Sequence, residues 1–384
     1  MKNKVKKILC GIIISLFLLP LLGAQAHAES SEIDESEVYS EQLKSAGAYE
    51  LFNLIDDDTR EMLKELGIED FDAQHIFDLS PRKIIDLIFS IVTGCLKEPL
   101  KAAFSLVGIV ILFSLISCYI PDLEGKGSIF GYVFVLAGAM IIIKPISQCI
   151  GGAVSAINAT SKVMLTLVPI LTGLIAAAGK AASALSYNGI AFTAAQVSSQ
   201  VCNSFITPFS GVYMALSMAG SINPIINIES IANFIKKATT IVLSFAGTIF
   251  AGLLTIRGIL AGSVDALALK GAKFVIGTAI PVIGSSIGDA LSSIIGSLQV
   301  VKSTVGAVGI LIVALINIPA VIHILLWIIS LKGAAFASEM FGIESIQKMI
   351  DGLASGLSVI FAILCFNAVL MIVSLGLVVS ISNG

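Results

Sequence analysis

TVGAVGILIVALINIPAVIHILLWII, the stretch from Thr304 to Ile329, contains no Asp, Glu, Lys or Arg. A helix needs about 20 predominantly apolar residues to cross the hydrocarbon core of a bilayer, so this stretch is long enough to span a membrane. Three further stretches are apolar and also of spanning length: Ala102 to Ile120, Ala238 to Ile256 and Leu357 to Ile381. We predict a membrane-spanning helix in each of the four.

The composition of the whole chain agrees with this interpretation. Of its 384 residues, 56% are hydrophobic and 13% are charged, and the mean hydropathy is +0.98. An ordinary soluble domain carries about 25% charged residues, and a water-soluble fold of this length could not bury so much apolar surface. We therefore predict an all-α fold in which residues 102–384 form a polytopic transmembrane helix bundle.

Four weaker candidates bring the expected total to about eight spans. Three of them contain polar or helix-breaking residues: Ile129 to Ile157, interrupted at Lys144 and Pro145; Val163 to Leu185, which contains Lys180; and Val201 to Gly220. The fourth, Phe274 to Leu298, either spans the bilayer or enters it and returns. Interruptions of this kind must face protein or water, because backbone amides cannot remain unpaired in hydrocarbon.

The distribution of basic residues weakly favours the spanning arrangement for the fourth candidate. Cytoplasmic loops carry an excess of Lys and Arg, and this excess is obtained only if Phe274 to Leu298 crosses the membrane. The resulting topology places both ends of the mature chain outside. It also places Lys180 and Lys302 on opposite sides.

The first 80 residues differ from the rest of the chain. Residues 1–28 combine a basic start, an apolar run from Ile8 to Leu22 and a small-residue cleavage site at Ala26 to Ala28, which is typical of a secretory signal peptide. The alternative is an uncleaved membrane anchor.

Residues 29–80 then form an acidic extracytoplasmic region that holds 16 of the 26 acidic residues. We expect helices on both sides of Asp56 to Asp58, the second of them ending at Gly67. The region is either a solvated spacer or a module that docks a partner.

Residues 81–101 are expected to form an amphipathic helix at the membrane surface. Ser80 and Pro81 are typical of an N-cap and a first helical residue, and apolar side chains recur at helical spacing from Ile84 to Cys95. Basic residues near both ends favour a helix that lies in the bilayer interface before the first span.

The most specific pattern for a functional site lies after Pro281. Small residues repeat at a spacing of four, at Gly284, Gly288, Ser292 and Gly296, and Asp289 belongs to the neighbouring polar stripe. Such a stripe indicates either close helix packing or a helix that lines a pathway, and the second interpretation is supported by the need of Asp289 to avoid lipid. Asp265 is either its companion or a loop residue.

Enzymatic functions are not supported by any complete motif. The chain lacks a zinc-binding H-E-x-x-H helix and a phosphate-binding loop. Gly284 to Gly288 matches the letters G-x-S-x-G, but a nucleophile elbow needs a strand-to-helix turn and a histidine base. We expect no cofactor and no metal, and an acidic exposed region argues against nucleic acid as a partner.

The order of these segments resembles the stage III sporulation protein AE family of endospore-forming bacteria. The closest local match is the sequence ALALKGAKF at Ala266 to Phe274, followed by IPVIG at Ile280 to Gly284 and by Asp289 and Ala290. The resemblance extends over nearly the whole chain.

This resemblance implies a component of the mother-cell membrane that surrounds the forespore. Its expected partners are the lipid bilayer and other stage III sporulation membrane proteins, including a secretion-type ATPase and ring-forming subunits. A forespore partner across the intermembrane space and a role in late forespore gene expression are also implied. The family offers no catalytic residues to transfer to this chain.

Three functions follow from these observations. The first is a non-enzymatic subunit of a channel or export complex. The second is a secondary transporter that moves a small solute by itself, because such proteins use broken helices with buried polar groups. The third is a structural anchor.

Overall fold

The computed structural model describes the larger part of the chain. Its continuous stretches are residues 36–68, 80–119, 129–201 and 284–380, with residue 71 in addition. Between 204 and 265 it describes residues 204, 212–213, 215–217, 219–220, 230–231, 234–235, 237–250, 252 and 265. The expected signal peptide and Pro281 lie outside these residues.

Nine helices account for the regular structure of the continuous described stretches. Four belong to the first hundred residues: α1 (Ser36–Ser45), α2 (Glu50–Leu54), α3 (Asp57–Leu66) and α4 (Pro81–Cys95). The other five are α5 (Lys97–Tyr119), α6 (Ile129–Ala177), α7 (Ala181–Val201), α8 (Gly284–Met340) and α9 (Glu344–Ser380). The predicted all-α fold is confirmed for this part of the chain.

Four helices of the described chain are long and apolar enough to cross a membrane. They are Pro81–Ser117, Gly131–Ala177, Ile294–Met340 and Glu344–Val379, and Lys237–Phe250 is a shorter apolar helix. Three of the four strongest sequence stretches lie largely within these long helices. A multi-pass arrangement is therefore supported by four spans, and a total of about eight stays a prediction.

The interruption expected at Lys144 and Pro145 is absent from the described helix α6. The 49 residues of this helix continue through both Pro145 and Pro169. Proline removes one backbone hydrogen bond, but an apolar surrounding offers the other backbone groups no partner except the helix itself.

The helix ends instead at a Schellman turn, where the Gly179 and Lys180 amides bond to Ala176 and Ile175 and Gly179 has φ 80°. Lys180 therefore lies in a turn and not within a span.

The segment expected to span or re-enter is described only from Gly284 onwards. From Gly284 its described part forms the first turns of α8, and this helix continues without a break to Met340. Its 57 residues extend about 85 Å at 1.5 Å per residue, whereas the hydrocarbon core is about 30 Å thick. Helix α8 thus joins the predicted segment to the Thr304 to Ile329 span in one element.

Helix α8 is the centre of the bundle. Among the 18 residues that form the most apolar part of this helix, 83% are buried. The corresponding fraction for Pro81–Ser117 is 22%. Gly306 lies against Val379 and Gly309 lies against Leu375, so α9 runs antiparallel to α8. Helix α6 also packs on α8, because Leu167 contacts Gly309 as well. The central helix therefore buries its apolar side chains against two long neighbours.

The acidic region is folded and attached to one end of the bundle. Asp56 caps α3 by accepting a hydrogen bond from the Thr59 amide at 3.2 Å, and Gly67 ends it with φ 86°. Leu63 and Leu66 are buried in the common core, while the acidic side chains of the first turn face solvent. The predicted helix stop at Gly67 is confirmed, and so is the interruption around Asp56.

Helix α4 begins at Pro81 as expected, although the Ser80 side chain makes no capping hydrogen bond. Only Leu96 separates α4 from α5, and its backbone keeps helical dihedral angles. Leu87 and Ile88 of α4 are buried against the core. The placement of residues 81–101 in the bilayer surface stays a prediction.

Candidate functional site

The predicted small-residue stripe lies at the start of α8. Gly284, Gly288 and Ser292 belong to its first turns, but the side chains of residues 284–293, including that of Asp289, are outside the described part of the structure. Gly296 is exposed, and a methyl group added there would meet no described atom within 4 Å. Gly296 therefore contributes no close helix contact to the described part of the bundle.

The neighbouring polar stripe makes a specific contact through Ser297. The Gln42 amide donates to the Ser297 hydroxyl at 2.9 Å, and the hydroxyl lies 3.2 Å from the Gln42 amide oxygen. This pair attaches α1 of the acidic region to α8. The start of α8 and the acidic region consequently lie at the same end of the bundle.

Asp265 binds the beginning of α7. Its two carboxylate oxygens accept hydrogen bonds from the Ala182 and Ser183 amides, both at 2.9 Å, and its side chain is only 4% exposed. The N-terminus of a helix carries free amides and the positive end of the helix dipole, so a carboxylate is stabilised there. Asp265 thus acts as an N-cap supplied from a distant part of the chain.

Two lysines lie near this capped helix end. Burial lowers the pKa of Lys180 from its ordinary value of 10.5, and the negative charge of Asp265 partly opposes this effect. Lys302 of α8 is close enough to Lys180 for their charges to repel, and it is 1% exposed. The charge count that favoured eight spans places these two lysines on opposite sides of the membrane, whereas the structure brings them near each other. The number of spans stays a prediction.

Among the described glycines, the shortest contact of an added Cβ atom occurs in a pair of α9 that the sequence analysis missed. An ideal Cβ atom on Gly356 would lie 2.6 Å from the ring carbons Cδ1 and Cε1 of Tyr213. One on Gly352 would lie 2.9 Å from the Ser217 hydroxyl. The sequence does contain a motif that predicts this contact, because Gly352 and Gly356 form a G-x-x-x-G pattern in α9. This pattern permits helix backbones to approach closely in a bilayer.

Asn317 forms a buried polar contact between α8 and α6. Its amide nitrogen donates to the Thr160 hydroxyl at 2.8 Å and to the Val313 carbonyl at 2.7 Å, and the Asn317 and Thr160 side chains are inaccessible to solvent. A lone Asn on an apolar helix is expected to hydrogen-bond across helices, and this one does. The contact joins helices and offers no reactive group.

Among the residues that the structure describes, no three His, Cys, Asp or Glu side chains are grouped as a metal site would require. The polar contacts described above cap a helix, join helices or attach the acidic region. Their arrangement suits a membrane protein whose function depends on assembly.

Comparisons with known proteins identify related sequences. The family model for stage III sporulation protein AE matches residues 66–382, which is most of the chain. The chain is also similar to the stage III sporulation protein AE of Bacillus subtilis strain 168, with 24% identity over 304 residues, covering 75% of this chain and 76% of the relative. No solved structure matches the chain.

Proposed function

Because the chain belongs to the stage III sporulation protein AE family, we propose that it is a non-enzymatic membrane subunit of a channel or export complex that links mother cell and forespore. In this role it resides in the mother-cell membrane around the forespore. It supports late forespore gene expression through its partners, other stage III sporulation membrane proteins that include a secretion-type ATPase and ring-forming subunits. The family match over most of the chain is the observation that carries this proposal.

The packing of the helices supports a role in assembly. The central helix α8 is largely buried, whereas the outer helix α5 leaves large apolar side chains such as Phe104, Leu112 and Leu115 more than half exposed. Such side chains suit contact with lipid or with the apolar helices of other subunits. A protein built in this way presents long apolar surfaces on which further membrane subunits can pack.

Copurification from sporulating cells tests the proposed role. A tagged chain extracted in mild detergent should bring down an ATPase and ring-forming membrane proteins, and the same chain expressed in vegetative cells serves as the control. A stand-alone transporter would be recovered alone and would move a solute after reconstitution into vesicles. Recovery alone, together with solute uptake, would contradict the proposal.

The orientation of the chain can be tested independently. We infer that the acidic region faces the intermembrane space, and the Gln42–Ser297 contact then puts the start of α8 on the same side. Glu339 lies about 63 Å further along α8 than Ser297 at 1.5 Å per residue, so it belongs on the opposite side.

In a cysteine-free background, a membrane-impermeant thiol reagent applied from outside should label Gly296→Cys and Glu61→Cys but not Glu339→Cys. All three positions are exposed in the described structure. Labelling of Glu61→Cys and Gly296→Cys from opposite sides would contradict the inferred orientation.

A further inference from the structure

One face of helix α6 is exposed and polar. The other faces of this helix pack against α7, α8 and α9. Exposed residues on the remaining face follow one another at intervals of three, four or seven, which places them in a single line along the helix. We call this set the α6 stripe: Lys144, Gln148, Gly151, Ser155, Lys162 and Pro169.

The α6 stripe differs from a surface that faces lipid. Between Lys144 and Ala177, all of which the structure describes, no exposed residue of α6 is a Leu, Ile, Val, Met or aromatic residue. Helix α7 packs beside α6 and does expose such side chains, since Phe192 is 48% and Val197 is 54% exposed. Hydrocarbon is therefore a suitable surrounding for the outer face of α7 but not for the α6 stripe.

Lys162 lies near the middle of the membrane. The Thr160 hydroxyl, two residues before it, accepts the 2.8 Å hydrogen bond from Asn317. Asn317 stands 13 residues after the start and 12 before the end of the span from Thr304 to Ile329. The Lys162 backbone is about 3 Å from the level of Thr160, and a lysine side chain reaches about 6 Å. Half of the hydrocarbon core is about 15 Å, so the ammonium group cannot reach either surface of the bilayer.

The charge of Lys162 is not neutralised within the described part of the chain. Its side chain is exposed, and none of the ion pairs among the described residues includes it. Helix α6 itself contains no Asp or Glu. A charged side chain at this depth is unfavourable in hydrocarbon and faces either a water-filled space or an opposite charge.

Water accounts for the whole α6 stripe, whereas an acidic residue on a neighbouring helix would account only for Lys162. Gln148 lies about 21 Å away from Lys162 along the axis and also needs hydrogen-bond partners. Pro169 has no amide hydrogen to donate to the Leu165 carbonyl. Water can donate to and accept from all of these groups at their different depths.

We propose that the α6 stripe lines a water-filled pathway across the membrane and that Lys144 and Lys162 make this pathway favour anionic solutes. The inference rests on the proposed channel complex, because another chain must supply the opposite wall. Positive side chains along a narrow polar path, with no acidic residue on the same helix, attract anions and repel cations.

Cysteine accessibility in membranes from sporulating cells tests the pathway. The membranes are broken open so that reagents reach both sides, and the chain carries one introduced cysteine in a cysteine-free background. Methanethiosulfonate reagents react with the thiolate, and this ion is strongly disfavoured in hydrocarbon. Ser155→Cys should therefore react more than about tenfold faster than a cysteine that faces lipid at the same depth.

Val197→Cys is the matched control that faces lipid. Val197 is also exposed, and it lies at a similar depth because the nearby Ser199 hydroxyl donates to the Asn158 amide oxygen of α6 at 3.1 Å. If Ser155→Cys does not assemble, Gly151→Cys should react equally fast, because a Cβ atom at Gly151 would meet nothing within 4 Å. Stripe cysteines that react as slowly as Val197→Cys would show that a protein surface or lipid covers the α6 stripe, and would overturn the proposal.

The copurification described above is carried out on the same membranes, which separates this inference from the proposed complex. A chain that recovers its partners while its stripe cysteines stay unreactive would overturn the pathway and leave the complex standing. A chain that is recovered alone while its stripe cysteines react would support the water-lined stripe and contradict the complex.

The preference for anions has its own test. The reaction rate of Ser155→Cys is measured with an anionic sulfonatoethyl reagent and with a cationic trimethylammonium-ethyl reagent at low ionic strength. Lys162 lies about 10 Å along the helix from Ser155, so removing its charge in a water-like surrounding changes each rate about twofold, in opposite directions. Lys162→Gln should thus lower the ratio of the anionic to the cationic rate about fourfold.

Lys101→Gln is the control, because Lys101 is an exposed lysine of α5 outside the α6 stripe, and it should leave the ratio unchanged. A ratio that Lys162→Gln does not alter, while Ser155→Cys still reacts rapidly, would overturn the assigned preference for anions.

Discussion

Adding one methyl group at Gly356 tests the tightest helix contact in the described structure. The new Cβ atom would lie 2.6 Å from two ring carbons of Tyr213, and this ring is 4% exposed. Forcing an extra carbon into a packed site costs about 1–3 kcal/mol, while replacing Gly by Ala within a helix contributes up to about 1 kcal/mol of stabilisation. The clash should therefore win, and Gly356→Ala should be destabilised.

The matched control is Gly376→Ala on the same helix. A methyl group there would meet nothing within 4 Å. This variant should therefore be stabilised by the higher helix propensity of alanine, with no opposing clash. The two variants should differ by about 1–3 kcal/mol, which corresponds to about 1–4 °C in Tm for a chain of this length.

Detergent-purified protein is heated in steps, and the fraction that remains monodisperse is measured. Tyr213→Leu should rescue Gly356→Ala, because the smaller, flexible side chain leaves room for the methyl group. Equal stability of the two alanine variants would refute the reasoning.

Three further predictions concern polar groups. Asp265→Ala removes both acceptors from the start of α7 and should lower stability by about 1–3 kcal/mol, while Asp265→Asn, which keeps one acceptor, should lower Tm less. Thr160→Val should destabilise the protein by about 1 kcal/mol, and adding Asn317→Leu should recover part of this loss, which a double-mutant cycle in Tm measures. The lowered pKa of Lys180 means that the unfolded chain binds more protons than the folded chain between that pKa and 10.5. Stability should therefore rise with pH in that alkaline range, and Lys180→Gln should flatten the rise in Tm.

Two features that depend on local sequence were predicted correctly. The apolar stretch Thr304 to Ile329 lies in a long apolar helix, and the stretch Leu357 to Ile381 lies largely in another. A run of span length without charged residues is the physical cause of both helices. The stop of α3 at Gly67 also follows from one residue, since glycine adopts the left-handed conformation of the helix cap without strain.

The breaks between helices were not predicted as well. Proline suggested an end at Pro145, yet the helix continues to Ala177, because its tertiary surroundings keep the backbone helical. The segment from Phe274 to Leu298 was predicted to span or re-enter the membrane by itself, but its described residues, from Gly284, belong to the long helix α8.

Spacing alone could not identify which glycines meet another helix. The repeat from Gly284 to Gly296 and the pair Gly352 and Gly356 both have a period of four, and both suggest close packing. In the structure a methyl group at Gly296 has free space, whereas one at Gly356 would collide with Tyr213. The two repeats differ in the side chains that the neighbouring helices place against them. A single sequence does not show which side chains these are.

The cap of α7 shows how such a partner could still have been sought from the sequence. Helix α7 starts directly after Lys180, whose side chain has no acceptor for the free amides of the first turn. A helix start without Ser, Thr, Asp or Asn at the cap must obtain its acceptor from elsewhere if it is buried. An acid in an otherwise apolar part of the chain is the natural source, and Asp265 meets that condition. The missing cap acceptor at the start of α7 and an acidic residue in an apolar part of the chain together predict a long-range contact. Neither observation predicts it alone.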